Sequence, residues 1–151
     1  MIVVLDANVL LRFSDPSAAQ HAIALAALSA LRASGHDLRT LPQSLYEFWV
    51  VATRPLANNG LGLSVAECEH MLAGIEILFP LLPDPPALFD EWRALVVAFA
   101  CHGKVAHDAR YVAALRAHGL TNLLTFNVAD FARFPGITVL DPNVVATPTP
   151  P

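Results

Sequence analysis

Four acids stand where a carboxylate needs a reason to be. Asp6 closes the apolar run Ile2–Leu5 in LDANVLLR, and Glu47 sits among Tyr46, Phe48 and Trp49. Asp108 shares a helical face with Tyr111, Val112 and Leu115, at spacings of three, four and seven. Asp130 follows an apolar run in TFNVADFARF. Each has an ordinary reading when taken alone. Asp6 is a turn former, and Glu47 closes a capping box, Ser44-Leu-Tyr-Glu47, of the kind repeated at Ser64-Val-Ala-Glu67. Asp108 complements a helix dipole, and Asp130 is the third residue of a short helix capped by Asn127. Taken together they suggest more. Carboxylates brought to one place repel and raise one another's pKa values. A hard divalent cation, Mg²⁺ or Mn²⁺, relieves that repulsion and prefers oxygen ligands.

The elements needed to gather them follow from the apolar pattern. Ile2–Leu5 reads as a strand buried on both faces. Asp15-Pro16 reads as the start of an Ala/Leu-rich helix that runs to about Ser34 and stops at Gly35. Leu38–Leu41 is a short strand, and Ser44–Thr53 a helix ended by Arg54-Pro55. A third helix runs from Ser64 to about Phe79, Leu81-Leu82 is a short strand, and Ala87–His102 and His107–His118 are two more helices. Leu123–Phe126 and Ile137–Leu140 are the last strands. Alternation of strands and helices predicts an α/β fold, a parallel sheet of about five strands between helical layers. Ligands of such sheets bind beyond the carboxyl ends of the strands. Asp6 and Asp130 follow strands there, and Glu47 and Asp108 begin helices that start there.

Composition narrows the function classes. The chain has 151 residues, 55% hydrophobic and 15% charged, with a net charge of −4. One domain over 1–142 is expected, followed by a Pro/Thr-rich, disordered tail over 143–151, with Ala146 to Pro151 frayed. The longest clean apolar run, Ala94 to Cys101, is far short of the roughly 20 residues a membrane helix needs. The first residues carry no basic segment, so a cytoplasmic protein without a signal peptide is expected. Nine Lys and Arg against thirteen Asp and Glu exclude a broad basic face for nucleic acid. A metal cation would supply the missing positive charge. Cys68-Glu69-His70 and Cys101-His102 do not share a helix face and form no CxxC pair, which argues against zinc.

The ordered set LDANVLL, SLYEFWVVATRP, HDARYVAAL and LLTFNVADFARFPGITVLDP resembles the PIN-domain proteins, and among them the VapC-type toxins of toxin–antitoxin pairs. The resemblance covers about Met1 to Pro142 and implies a three-layer α/β/α fold. It implies a metal-dependent ribonuclease with one or two Mg²⁺ or Mn²⁺ ions. By position, Asp6, Glu47, Asp108 and Asp130 become the acidic quartet, with Thr125, Asn127 and Asn8 as supporting polar residues. Arg12, Arg54 and Arg110 are candidates for RNA backbone contacts. The implied partners are an RNA substrate, a VapB-like antitoxin and a second copy in a homodimer. Leu45, Trp49, Leu72, Ile75, Phe79, Phe89 and Trp92 are the apolar residues expected to supply grooves for the protein partners. Two other phosphoryl-transfer enzymes fit less well. A haloacid-dehalogenase-type phosphatase needs an Asp where Asn8 stands, and a receiver domain needs a second acid near the first strand and a Lys after the last. The alternative from another class is a PIN-like module that binds without cutting.

Overall fold

The computed structural model describes residues 1–147. Four short strands form one parallel sheet: β1 (Ile2–Leu5), β2 (Asp37–Arg39), β3 (Asn122–Leu124) and β4 (Thr138–Leu140), in the order β2-β1-β3-β4. Val4 pairs with Arg39 on one side and Leu123 on the other, and Leu123 with Val139 beyond. The chain therefore leaves β1 in one direction to build β2 and returns on the other side to build β3. The crevice at that reversal lies beyond Leu5 and Leu124, which is where a doubly covered parallel sheet holds its ligands.

Alternation along β1 makes the layers. Val3 and Leu5 point to one face with Leu124, against Val9, Leu10, Leu28, Phe48 and Phe79. These come from α1 (Ala7–Ser14), α2 (His21–Ala33) and α3 (Pro42–Thr53), with Phe79 just past α4 (Val65–Leu78). Val4 and Leu123 point to the opposite face, against Leu95 of α5 (Leu88–Ala98) and Val112 and Leu115 of α6 (Val105–Ala117). The expected three-layer α/β/α architecture is therefore present. Two one-turn helices, α7 (Val128–Phe131) and α8 (Pro142–Val145), flank β4.

Four details differ from the sequence reading. The fifth strand is reduced to a single bridge between Thr40 and Leu81, because Pro80 and Pro83 have no N–H to extend the ladder. The segment after Asp6 is not a turn. Asp6 caps α1 directly, its carboxylate accepting from the Asn8 N–H, and Asp15-Pro16 ends that helix while α2 begins only at His21. Asp15 spends its side chain on the Ser17 N–H, so it stabilises the connecting turn. The expected boundary at 142 is also moved. Asp141 caps α8 by accepting from the Asn143 N–H, Pro142 is buried, and Val145 packs on the core shared with α2. Of the expected tail, residues 148–151 lie outside the described residues. Finally, α5 stops at Ala98 instead of His102, where Ala100 takes a left-handed φ of 46° and Cys101 N–H closes the turn on the Val96 carbonyl.

Of the apolar residues expected to form grooves, Leu45, Ile75 and Phe79 are core, Trp49, Leu72 and Trp92 are half-buried, and only Phe89 is exposed. The large apolar side chains that do face outward include Tyr46, Val50, Ile77, Phe89 and Val97. Helix periodicity marks an apolar face but does not say whether a second layer covers it.

Candidate functional site

Asp6 is the buried anchor of the crevice, 6% exposed. Its backbone N–H donates to the Leu124 carbonyl at 3.0 Å, which carries the β1–β3 pairing one residue past the strands. Its Oδ2 accepts from Thr125 Oγ1 at 2.6 Å and from Asn8 Nδ2 at 2.7 Å. Thr125 uses its hydroxyl completely. It gives its proton to Asp6 and accepts from Asn8 Nδ2 at 2.9 Å and from the Asn127 N–H at 3.0 Å. Asn8 returns the favour across the crevice, its Oδ1 accepting from the Phe126 N–H at 3.1 Å. Asn8 and Thr125 thus touch Asp6 directly, whereas Asn127 contributes its backbone and leaves its residue exposed. Burial still dominates the charge balance: it raises the Asp6 pKa, the Thr125 hydrogen bond opposes this, and the charge of Glu47 adds to it.

Glu47 is not the capping residue its sequence suggests. The helix starts two residues earlier than Ser44, at Pro42, so Ser44 lies in the first turn. Ser44 Oγ donates to the Leu5 carbonyl at 2.7 Å and accepts from the Leu41 N–H at 3.3 Å, tying α3 to the end of β1. That frees Glu47 to face α6. Its Oε1 accepts from Gln43 Nε2 at 2.8 Å, and its Oε2 accepts from the Tyr111 hydroxyl at 3.3 Å. The same hydroxyl accepts from the Ala7 N–H at 3.2 Å. Burial, with the charges of Asp6 and Glu47, pushes the Tyr111 pKa well above its ordinary value, so the phenol stays a donor. The Ser64–Glu67 capping box, by contrast, is formed as expected, each side chain bonding the other's backbone N–H.

Asp108 lies in the first turn of α6 and Asp130 in α7, where it is the third residue after Asn127 as the sequence indicates. Both are half-buried. Neither carboxylate belongs to an ion pair among the described residues. Asp108 is pushed up to about 6, first by burial and then by the charges of Asp130 and Asp6, against a weaker pull from Lys104. Glu47 adds to the same repulsion. One carboxylate that feels the other three places all four in a common field, on four separate elements that meet at the carboxyl edge. Among the described residues, no three His, Cys, Asp or Glu side chains are drawn close enough to form a ready-made coordination shell.

The three arginines differ. Arg12 is folded back onto the site's own scaffold: Nη1 donates to the Asn8 carbonyl at 3.0 Å, Nε bonds Gln20, and the guanidinium lies 5.0 Å from the centre of the Phe126 ring. Burial lowers its pKa, with the charge of Asp6 opposing. Arg110 pairs with Asp84 at 2.6 Å and donates to Gln43 Oε1 at 3.2 Å. Arg54 lines an open groove of about 570 Å³ beside Glu47, together with Gln43, Tyr46, His107 and Arg110. Gly60 fixes the backbone next to it, since a Cβ there would come within 1.9 Å of the Arg54 carbonyl oxygen.

Sequence reasoning missed Gln43 and the polar role of Tyr111. The signal for Gln43 was its i, i+4 spacing to Glu47. Tyr111 belongs to an apolar stripe in the sequence, but a buried phenol needs a partner.

No family model matches the chain, and no curated protein matches it. Solved structures do. A chain of VapBC2 from Rickettsia felis, bound to a DNA fragment from its promoter, aligns with a TM-score of 0.70 and 14% identity over 93% of this chain and 98% of that one. VapBC-1 from nontypeable Haemophilus influenzae gives 0.63 and 18% over 94% and 98%. PAE2754 from Pyrobaculum aerophilum gives 0.61 and 22% over 97% and 93%. At these identities the likeness is one of fold. The three-layer α/β/α architecture is shared with these structures across nearly the whole length of the chain.

Proposed function

We propose that this chain is a metal-dependent ribonuclease and the toxin member of a toxin–antitoxin pair. One observation carries the reading: the charges of Asp130, Asp6 and Glu47 all act on the half-buried Asp108, and burial with the charge of Glu47 raises the pKa of Asp6. The donor set fits a hard cation, since every candidate ligand is a carboxylate oxygen and the supporting groups are hydroxyls and amides. Asp6 and Asp108 would hold Mg²⁺ or Mn²⁺ directly, Asp130 would complete the site, and Glu47 would bind directly or through water. One or two ions would lower the pKa of a bound water and neutralise charge on the phosphorus oxygens.

The protein's own part is orientation. Thr125 and Asn8 hold one Asp6 oxygen as a fixed acceptor, and Gln43 and Tyr111 do the same for the two Glu47 oxygens. Arg54 is the arginine left available for a phosphate in the adjoining groove, since Arg110 is occupied by Asp84 and Arg12 by Asn8 and Gln20. Water oxygen would bond to phosphorus as the 3′ oxygen leaves, giving 5′-phosphate and 3′-hydroxyl ends.

The partners are part of the same reading. The neighbouring folds occur in VapBC assemblies, and the outward-facing Tyr46, Val50, Ile77 and Phe89 offer apolar surface to an antitoxin and to a second copy of the chain. Among the described residues no helix is long and apolar enough to cross a membrane.

The test is cleavage of RNA with Mg²⁺ or Mn²⁺, beside EDTA and Asp6→Asn controls. Cleavage only with metal and the native Asp6 is expected; equal activity in all three arms overturns the mechanism. Expressed alone, the protein should arrest growth or be poorly soluble until an antitoxin is supplied, and harmless, soluble, monomeric expression would count against the toxin role. A second reading, a PIN-like module that binds without cutting, is favoured by the spacing of the acids, which form no ready-made shell. Thermal stabilisation by Mg²⁺ with no cleavage of total RNA would select it.

A further inference from the structure

Gln43 is a buried amide, 4% exposed, whose hydrogen bonds are all committed. One N–H goes to Glu47 Oε1 and the other to the His107 carbonyl, both at 2.8 Å. Its oxygen accepts from Arg110 Nη1 at 3.2 Å. Reversing the amide would set its oxygen against a carboxylate and a carbonyl, and its two N–H groups against a guanidinium. Only one orientation satisfies the surroundings. Arg110 is fixed in turn by Asp84, whose Oδ2 lies 2.6 Å from Nη2, in the loop that precedes α5. On the other side of Glu47, the Tyr111 hydroxyl accepts from Ala7, the first residue of the helix that Asp6 caps, and donates to Oε2.

We propose that Gln43 and Tyr111 are positioning residues for Glu47, and that Arg110 and Asp84 hold Gln43 in place, so that a loop outside the acid cluster governs the direction of one of its carboxylates. The inference rests on reading Glu47 as a metal-site acid. A tie between α3 and α6 needs only the bond from Gln43 to the His107 carbonyl. The second N–H serves Glu47 alone. With each of its oxygens engaged by one neutral donor, Glu47 is held in one orientation. The arrangement is graded by distance: Gln43 and Tyr111 touch the carboxylate, Arg110 touches Gln43, and Asp84 touches Arg110.

The experiment uses the full chain with Mn²⁺ as the probe. Calorimetric Mn²⁺ affinity, kcat and KM on RNA, and metal-free Tm are measured for the native protein, Gln43→Met, Tyr111→Phe and Asp84→Asn. Gln43→Met and Tyr111→Phe keep most of the volume and remove the donor. Loss of a partner that orients a metal ligand typically weakens metal binding or activity about 10–100-fold. Gln43→Met is expected at the upper part of that range in Mn²⁺ affinity and kcat, Tyr111→Phe at the lower, and Asp84→Asn at about two- to threefold, with KM for RNA within about twofold throughout. A merely structural tie would lower Tm and leave Mn²⁺ affinity and kcat of the folded variants unchanged, and that result overturns the proposal. Native protein that binds Mn²⁺ without cutting RNA, with affinity graded as above, removes the ribonuclease reading and supports the positioning role. Absence of Mn²⁺ binding by the native protein overturns both.

Discussion

The two halves of the acid cluster are built in different ways. Asp6 and Glu47 are strapped. Between them they accept from Thr125, two groups of Asn8, Gln43 and Tyr111, and those donors are tied to β1, α1 and the strand ends. Asp108 and Asp130 take their places only from the first turns of α6 and α7. A buried carboxylate is costly unless hydrogen-bonded, and in the strapped half hydrogen bonds offset part of that cost within the fold, although burial still raises the Asp6 pKa. The other half leaves its repulsion, most visible in Asp108, for something outside the chain to relieve. One half fixes geometry and the other stores unneutralised charge, and a cation site needs both.

The sharpest way to break this contrast is to remove the same group from each half. Asp6→Ala and Asp108→Ala should each reduce metal-dependent RNA cleavage on the order of 10²–10³-fold. Their metal-free stabilities should move in opposite directions. Asp6→Ala deletes the α1 cap and strands the Thr125 hydroxyl and the Asn8 amide, at a cost of about 1–3 kcal/mol. Asp108→Ala removes a repelled carboxylate from a helix and should raise Tm. Thermal melts in EDTA decide the matter, and a drop of equal size in both variants would refute the contrast. A smaller effect tests the strap alone. Thr125→Val keeps the shape but leaves Asp6 without its shortest hydrogen bond and the Asn127 N–H without an acceptor, so a loss of about 2 kcal/mol is expected by chemical denaturation.

This contrast also separates what the sequence could reveal from what it could not. The acids themselves were legible because charges are scarce and each stands beside an apolar run. Asp130 was even placed at its correct helical position. The straps were harder to read. Thr125 and Tyr111 reach their acids from far along the chain, and only the β1–β3 pairing brings Thr125 to Asp6, whereas Asn8 and Gln43 hold acids two and four residues away. Helix α1 was hidden because Asp6 has the signature of a turn former and of a cap alike, and Asp15-Pro16 offered a more conspicuous start. Glu47 carries the same ambiguity: Ser44-x-x-Glu47 satisfies the capping pattern, but Pro42 starts the helix earlier and Ser44 is claimed by the Leu5 carbonyl. Local pattern identified candidate groups; tertiary contacts decided which of two local roles each one took.

The stored charge predicts a pH dependence of about 1 kcal/mol. Asp108 titrates near 6 in the fold against an ordinary 3.8. A raised carboxyl pKa means the folded state holds the proton more tightly. Its contribution is therefore fully present below about 3.8 and is lost as pH rises through about 6. Two pKa units would be close to 3 kcal/mol, and partial exposure to solvent reduces this to about 1. In EDTA the Tm advantage of Asp108→Ala over the native protein should thus widen from pH 5 to pH 7. A constant gap would show that the Asp108 charge is not strained in the fold.

The smallest expected effect carries the strapped-against-free comparison into the groove. Arg110 is held by Asp84 and Gln43, whereas Arg54 lines the same groove outside that relay. A phosphate met by a free guanidinium contributes charge and counterion release, with a salt slope of about −0.7 per contact for a single strand. Arg54→Ala should raise KM for RNA about threefold, reduce the salt slope of binding by about that amount, and leave kcat unchanged. The strapped arginine should behave the other way. Arg110→Lys retains the charge but cannot serve Asp84 and Gln43 together as the fork does, so its loss should fall on kcat and Mn²⁺ affinity while KM stays level. If both substitutions moved KM alone, the groove would hold two equivalent phosphate contacts, and the distinction between strapped and free groups would end at the acids.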